Sequence, residues 1–318
     1  MPEIPDIEAY IEALRPRVLG RRWLGVRLVT PFLLRTVNPP LESLEGGSVT
    51  GVDRLGKRLV FEIAGPGETG GDPGPAPSFF VVLHLMVAGR LHWKSPGAAV
   101  PKKSGLAAFD LEGGTLILTE AGKKRRASLH VLEHGDALVA LDRGGLEVAG
   151  STPEAFADAL RRENHTLKRA LTDPHILSGI GNAYSDEILH RARLSPLKQT
   201  RALDNEEMER LHTAAVDVLE EWTERLRAEA RGEFPEKVTA FRPEMAVHGR
   251  YGAACPVCGT QIRRILYAEN ECDYCPTCQT GGRIMADRAL SRLLRDDWPC
   301  FVDDVIRPPG ANGSARAG

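Results

Sequence analysis

Two near-identical knuckles, Cys255-Pro256-Val257-Cys258-Gly259 and Cys275-Pro276-Thr277-Cys278-Gln279, constrain this chain more than any other stretch. Each Cys-x-x-Cys turn aims two thiolates at one point, and sixteen residues separate the knuckles. That spacing is the two-knuckle ribbon closed by a tetrahedral metal. Cys272 and Cys275 share the same spacing, but only Cys275 and Cys278 repeat the Cys-Pro-x-Cys form. The expected ligands of one structural Zn²⁺ are therefore Cys255, Cys258, Cys275 and Cys278, with Cys272 and Cys300 left as ordinary thiols. None of the six cysteines precedes residue 255. A chain-wide disulfide framework is excluded, and clustering points to a metal site in an intracellular protein.

The rest of the chain divides by pattern. Ile7, Ile11, Leu14 and Val18 recur at helical spacing and predict a helix over 5–19, ended by Gly20. From Trp23 to about Val148 short β-rich runs take over, at 24–29, 58–63, 79–85, 91–93, 116–119 and 138–141. Residues 65–78, dense in Gly and Pro, read as a disordered hairpin loop because the β pattern resumes at once. Near Gly150 the character becomes helical. Ser151-Thr152-Pro153-Glu154 reads as a capping-box start, and a long helix follows Asn205 with Leu211, Ala215, Val218 and Trp222 on one face. After the ribbon, 286–295 suggests a short helix and 308–318 a disordered tail.

At 318 residues there is room for two ordinary domains. Forty-one basic residues against 43 acidic ones give a net charge of −2. A wholly basic nucleic-acid binder is excluded, and any polyanion site must be a local patch. The most apolar run, 79–87, is broken by His84 and falls short of a membrane span. The N-terminus has neither the basic start nor the apolar stretch of a signal peptide.

Three further motifs carry chemistry. In Ser178-Gly179-Ile180-Gly181-Asn182, the glycines permit a sharp turn and close backbone approach, with Asn182 opening the next helix. A phosphate cradle at that helix start, with Lys168 upstream, and a plain helix–turn–helix connection both fit. Pro2 follows an initiator Met of the kind normally removed before a small residue. Its secondary amine could then attack an electrophilic carbon, with Glu3 moving protons. Lys57, in Arg54-Leu55-Gly56-Lys57, occupies a tight turn before a strand and reads either as a site residue or as a solvated surface lysine.

Together these residues resemble the bifunctional DNA glycosylase family of formamidopyrimidine-DNA glycosylase and endonuclease VIII. Members begin Pro-Glu-Leu-Pro-Glu, matched by Pro2-Glu3-Ile4-Pro5-Asp6. The family's Gly-Lys turn matches Gly56-Lys57, and its His-Leu segment matches His84-Leu85. Its helix–two-turn–helix signature matches Gly179 to Glu187, with Ser185 in place of Ala. Val247-His248-Gly249-Arg250 and the four ligand cysteines complete the set.

The resemblance implies an α+β multidomain fold. An N-terminal helix and two-sheet β-sandwich form a catalytic domain over 1–149. A helix–two-turn–helix DNA-binding domain covers 150–244, a zinc ribbon 245–285, and a partly disordered extension 286–318. Double-stranded DNA with a damaged base or abasic site would lie in the cleft between domains. The resemblance also implies base-excision repair by a soluble, cytoplasmic, nucleoid-associated monomer with no membrane partner. The damaged nucleotide would be flipped out. Pro2 would attack the sugar C1′, the base would leave, and an iminium would form while Glu3 assists ring opening. Elimination would then nick the strand. Lys57, Lys168 and Asn182 would hold phosphates, with Arg126 and Arg264 adding charge.

Three departures separate this chain from the family pattern, the first two from its purine-type members. Their Met wedge falls on Val87, leaving Met86 beside it as a candidate. Their Arg-Arg-Phe-Gly loop becomes Arg125-Arg126-Ala127-Ser128, within the basic run 123–126. The ribbon Arg becomes Asn270, among Glu269, Glu271 and Asp273. The competing expectation is a catalytically weak damage-binding DNA protein of the same fold.

Overall fold

The computed structural model describes residues 1–65, 78–122, 124–236, 238–239, 241–267, 270–285 and 302. Most of the expected loop at 65–78, the expected helix at 286–295, the tail at 308–318, Lys123, Glu269 and Cys300 lie outside the described residues. The chain forms two compact units.

The first unit comprises Met1–Glu147, Ser178–Ile180 and Leu219–Ala240. Its helix α1 spans Ile4–Val18, starts with proline in its first turn, and is followed by Gly20 at φ 72°. Ile7, Ile11, Leu14 and Val18 are buried on one face, as their spacing predicts. Eight strands follow: β1 (Trp23–Leu28), β2 (Ser48–Leu55), β3 (Arg58–Ala64), β4 (Ser78–His84), β5 (Gly89–Lys94), β6 (Gly105–Leu111), β7 (Gly114–Glu120) and β8 (Ser128–Glu133). They make two four-stranded antiparallel sheets, ordered β1-β6-β7-β5 and β2-β3-β4-β8. One core joins both: Trp23 is fully buried, with ring centroids 6.0 Å from Phe61 of β3 and 5.8 Å from Phe109 of β6. Truncating any one of these aromatics to alanine should cost about 3–5 kcal/mol.

Residues 138–141, expected as a strand, belong instead to a 3₁₀ helix over Gly135–Leu141. A four-residue apolar run cannot distinguish strand from helical turn. Here Val139 is exposed, and among the described residues no strand pairs with the run. A late segment of chain also packs into this unit. Val238 is buried in the sandwich core, the Phe234 ring lies 5.7 Å from Tyr10, and Glu236 pairs with His92 (2.6 Å) and Lys94 (2.7 Å) of β5.

The second unit comprises Val148–Leu177, Gly181–Val218 and Phe241–Gly318. It holds α2 (Pro153–Arg161), α3 (Leu167–Thr172), α4 (Asn182–Arg191) and the start of α5 (Asn205–Ala230). Thr152, not Ser151, caps α2: its hydroxyl accepts from Ala155 N, while Ser151 Oγ donates to Val148 O. Leu211, Ala215, Val218 and Trp222 of α5 are all buried. The ribbon follows as β9 (Arg263–Leu266), β10 (Glu271–Tyr274) and α6 (Pro276–Thr280). Among the described residues, no helix is long and apolar enough to cross a membrane.

Candidate active site and metal centre

The start of the chain is built into the first unit. Glu3 is the N-cap of α1 and is 1% exposed. Its backbone N–H donates to Asp6 Oδ2 at 2.9 Å, while its carboxylate accepts from the Asp6 N–H. This reciprocal box satisfies helix-end donors and fixes the Glu3 side chain. Pro2 immediately before it is also buried.

The peptide Ser178–Ile180 reaches this same point. Gly179 O accepts from Ile4 N at 3.2 Å, and Ile180 O accepts from Lys57 Nζ at 3.2 Å. Gly179 sits at φ 77°, and a Cβ there would lie 2.3 Å from Ile4 Cγ1. Only glycine meets both demands. Lys57 is placed by a two-residue hairpin between β2 and β3, with Gly56 at φ 59° in the first turn position. Burial pushes the Lys57 ammonium below the ordinary lysine value, the nearby Glu3 carboxylate opposes that shift, and Arg58 adds to it. Burial likewise lowers the α-amine of Met1, against the opposing charge of Glu3. An amine kept from charging is closer to its nucleophilic form.

Basic groups continue across this end of the sheet. Arg58 pairs with His84, and His84 with Ser128. Burial, then Arg58, Lys57 and His130, press His84 down to about 4, so it is neutral at pH 7. The buried atoms His84 Nε2 and His130 Nδ1 have no hydrogen-bond partner among the described residues. Met86 takes φ 52° in the turn after β4 and is half-buried, leaving Val87 exposed at its tip. Arg126 is exposed; its backbone N–H and that of the buried Ala127 donate to the Glu120 carboxylate.

In the second unit the Gly–Asn turn is held from inside. Lys168 is 7% exposed, and its Nζ donates to Asp186 Oδ1 (2.6 Å), Asn182 O (2.7 Å) and Ser185 Oγ (2.8 Å). It therefore supports the turn from beneath rather than presenting its ammonium to solvent. Asn182, partly exposed, opens α4 where the helix dipole favours an anion. Asp186 Oδ2 also meets His248 Nδ1 at 2.8 Å and the Asp273 N–H at 3.3 Å. Asp186, His248 and Asp273 cluster like metal ligands. Lys168 already supplies the opposing charge at Asp186, and Arg264 does so at Asp273. Glu187 accepts from the N–H groups of Ala246, Val247 and His248 at 2.7–2.9 Å, and burial nonetheless raises its pKa.

The four expected ligand sulfurs gather within 4.8 Å of one another. Cys255 and Cys278 Sγ lie 3.9 Å apart, and Cys258 and Cys275 Sγ 3.4 Å. A tetrahedral ion with bonds of about 2.3 Å sets sulfur–sulfur edges near 3.8 Å, so the cage fits a metal ion. Cys272 stands outside the group, fully buried. Arg264 is bound to Glu271 (2.8 Å) and Asp273 (2.9 Å), with its guanidinium 5.2 Å from the Tyr251 ring centre, so its charge is largely compensated. Asn270 is exposed at the ribbon turn, where its carbonyl accepts from Tyr267 N.

Sequence reasoning named the residues that the structure gathers at the two candidate sites, but not what holds them. Asp6 passed as a motif letter, although it caps the backbone of Glu3. The Asp186–His248–Asp273 network was invisible because its members lie up to 87 positions apart. The available signal was the Asp186-Glu187 pair within α4, two acids at positions the structure buries.

Known proteins agree in sequence and fold. Residues 1–127 match the formamidopyrimidine-DNA glycosylase N-terminal domain and residues 148–230 the formamidopyrimidine-DNA glycosylase H2TH domain. The formamidopyrimidine-DNA glycosylase of Thermus thermophilus is 33% identical, over 89% of this chain and 100% of its own length. That of Symbiobacterium thermophilum is 31% identical, over 88% of this chain and 89% of its own length. Among solved structures, Lactococcus lactis formamidopyrimidine-DNA glycosylase bound to DNA with an abasic site is 23% identical. It superposes with a TM-score of 0.72, covering 87% of this chain and 99% of that one. With both domain models matched in order along it, the chain belongs to the formamidopyrimidine-DNA glycosylase family.

Proposed function

We propose that this chain is a base-excision-repair DNA glycosylase with AP lyase activity, working through Pro2 on oxidised bases in double-stranded DNA. Removal of Met1 leaves the Pro2 secondary amine in the buried setting that already lowers the α-amine. The amine attacks C1′, the glycosidic bond breaks, and the base departs with the bonding electrons and gains a proton. The Pro2 nitrogen loses its proton as the C1′–O4′ bond opens, and Glu3 protonates O4′. The resulting iminium acidifies C2′–H; loss of that proton expels the 3′ phosphate and nicks the strand. Water then releases the enzyme. Lys57 holds a phosphate beside the reacting sugar.

One observation carries this reading: the Ser178–Ile180 peptide binds both Ile4 N and Lys57 Nζ, drawing the N-terminus and the lysine to one place. The cysteine cage takes one Zn²⁺, which supplies a structural cross-link and no open position for chemistry. The protein acts as a cytoplasmic monomer. Borohydride added to the protein and an abasic duplex should yield a covalent adduct, lost when one residue is added before Pro2. Tight binding with no adduct would favour the damage-binding alternative, for which the exposed Val87 and the buried Ala127 speak.

A further inference from the structure

Phe32 is 81% exposed, while its neighbour Leu33 is buried in the sandwich core. Burying a phenylalanine is favourable, so folding does not account for its position. Nor is it a loose side chain on a loose loop. Val29 N donates to Leu106 O (2.9 Å), Arg35 N to Leu129 O (2.8 Å), and Val131 N to Thr36 Oγ1 (2.8 Å). Pro31 opens the short 3₁₀ turn Pro31–Leu33 that carries the ring. The backbone is thus pinned on both sides.

The ring borders a cavity of about 250 Å³ lined by Thr30, Phe32, Leu33, Leu106, Arg125 and Ala127. Leu33, Leu106 and Ala127 give it an apolar floor, and all three are buried. Arg125 forms a wall, its guanidinium anchored to Lys103 O. Lys124 and Arg126, the chain neighbours of Arg125, are exposed, and the Glu120 carboxylate is committed to backbone N–H groups. The space lies below the roughly 300–1,000 Å³ of drug-sized sites, which suits a single flat ring system. An aromatic face, a guanidinium and an apolar floor amid positive charge match a nucleobase on an anionic backbone.

The place agrees. Lys57 precedes Arg58, Arg58 pairs with His84, His84 with Ser128, and Leu129 bridges Leu34. The cavity therefore sits at the same end of the same sheet as Lys57, to which a phosphate-holding role is proposed above. We propose that Phe32 and Arg125 frame a stacking slot for an unpaired nucleobase of the bound DNA, a specificity element outside the reacting centre. The proposal rests on the glycosylase reading.

The test uses a duplex with 2-aminopurine opposite a tetrahydrofuran abasic analogue. Stacking in the slot should change 2-aminopurine emission on binding. Phe32→Ala should abolish that change and weaken affinity by roughly 5- to 150-fold, the range for losing one base–aromatic stack. Phe32→Trp should retain both. Affinity for a fully paired duplex should be unchanged in Phe32→Ala. Equal losses on both duplexes would reduce Phe32 to a general contact and overturn the slot, as would wild-type emission and affinity in Phe32→Ala. Borohydride trapping on an abasic duplex, run alongside, separates the two readings. Trapping with no Phe32 effect refutes the slot alone, whereas absence of trapping and of DNA binding refutes both.

Discussion

Replacing Gly179 by alanine should disable the N-terminal site without touching a reacting group. At φ 77° an L-residue pays about 1–2 kcal/mol for the left-handed conformation. The new Cβ would lie 2.3 Å from Ile4 Cγ1 and 2.5 Å from Cδ1, and forcing a methyl into packed space costs about 1–3 kcal/mol more. The sum, about 2–5 kcal/mol, is met either by destabilising the first unit or by shifting Ile4. Ile4 follows Pro2 and Glu3 directly, and a displacement of about 1 Å at a reacting centre can cost about a hundredfold in rate. The rate of borohydride-trapped adduct formation should fall by about that factor, with a lower unfolding midpoint. Ile4→Ala removes both clashing carbons, so the double variant should show a favourable coupling of about 1–3 kcal/mol in a thermodynamic cycle. Wild-type trapping in Gly179→Ala, or strict additivity in the cycle, would refute the argument.

Four further outcomes are expected. Cys275→Ala should lose the metal, read as about one zinc per chain in the parent by elemental analysis, whereas Cys272→Ala should keep it. Lys168→Met should destabilise the second unit by about 3–5 kcal/mol, because Asp186 is fully buried and loses its ammonium partner; urea unfolding measures this. The folded Lys57 releases its proton below the ordinary lysine value, so affinity for abasic duplex should weaken as pH rises towards that value. Fluorescence anisotropy should show this alkaline loss flattened in Lys57→Arg, which stays charged. Asn270 offers no positive charge at the ribbon turn, so early products from an end-labelled abasic duplex should carry an unsaturated sugar at the 3′ end. Asn270→Arg should shift them towards 3′-phosphate.

What the sequence revealed followed the range of the interactions involved. Helix α1 and the strand at 58–63 were legible because local periodicity reports a buried face, and the strand at 79–85 because its run is rich in aromatic and β-branched residues. The Cys-Pro-x-Cys knuckles were legible because a metal cage is written in short, repeated spacing. Strand β6 escaped, since Leu106, Ala107, Ala108 and Phe109 are all buried and show no alternation. Strand β8 is a sheet edge whose partner β4 lies far upstream. The candidate site was legible as letters: Pro2, Glu3, Lys57 and the Gly–Asn turn, which the structure brings near one another. It was not legible as geometry. Nothing local predicts that Lys168 turns inward to Asp186, or that Arg264 spends its charge on Glu271 and Asp273. Those outcomes are set by which residues burial brings together.

The bond from Ile4 N to Gly179 O also sets an order of events during synthesis. Once synthesised, Ile4 awaits a partner about 175 positions downstream. At about 5–20 residues per second, that delay is roughly 9–35 s. Until Gly179 emerges, this bond cannot form and the amino terminus lacks one of the contacts that enclose it. Removal of Met1, which the proposed mechanism requires, therefore has an interval in which the chain end is still open. On the reading proposed above, the nucleophile is written early and enclosed late.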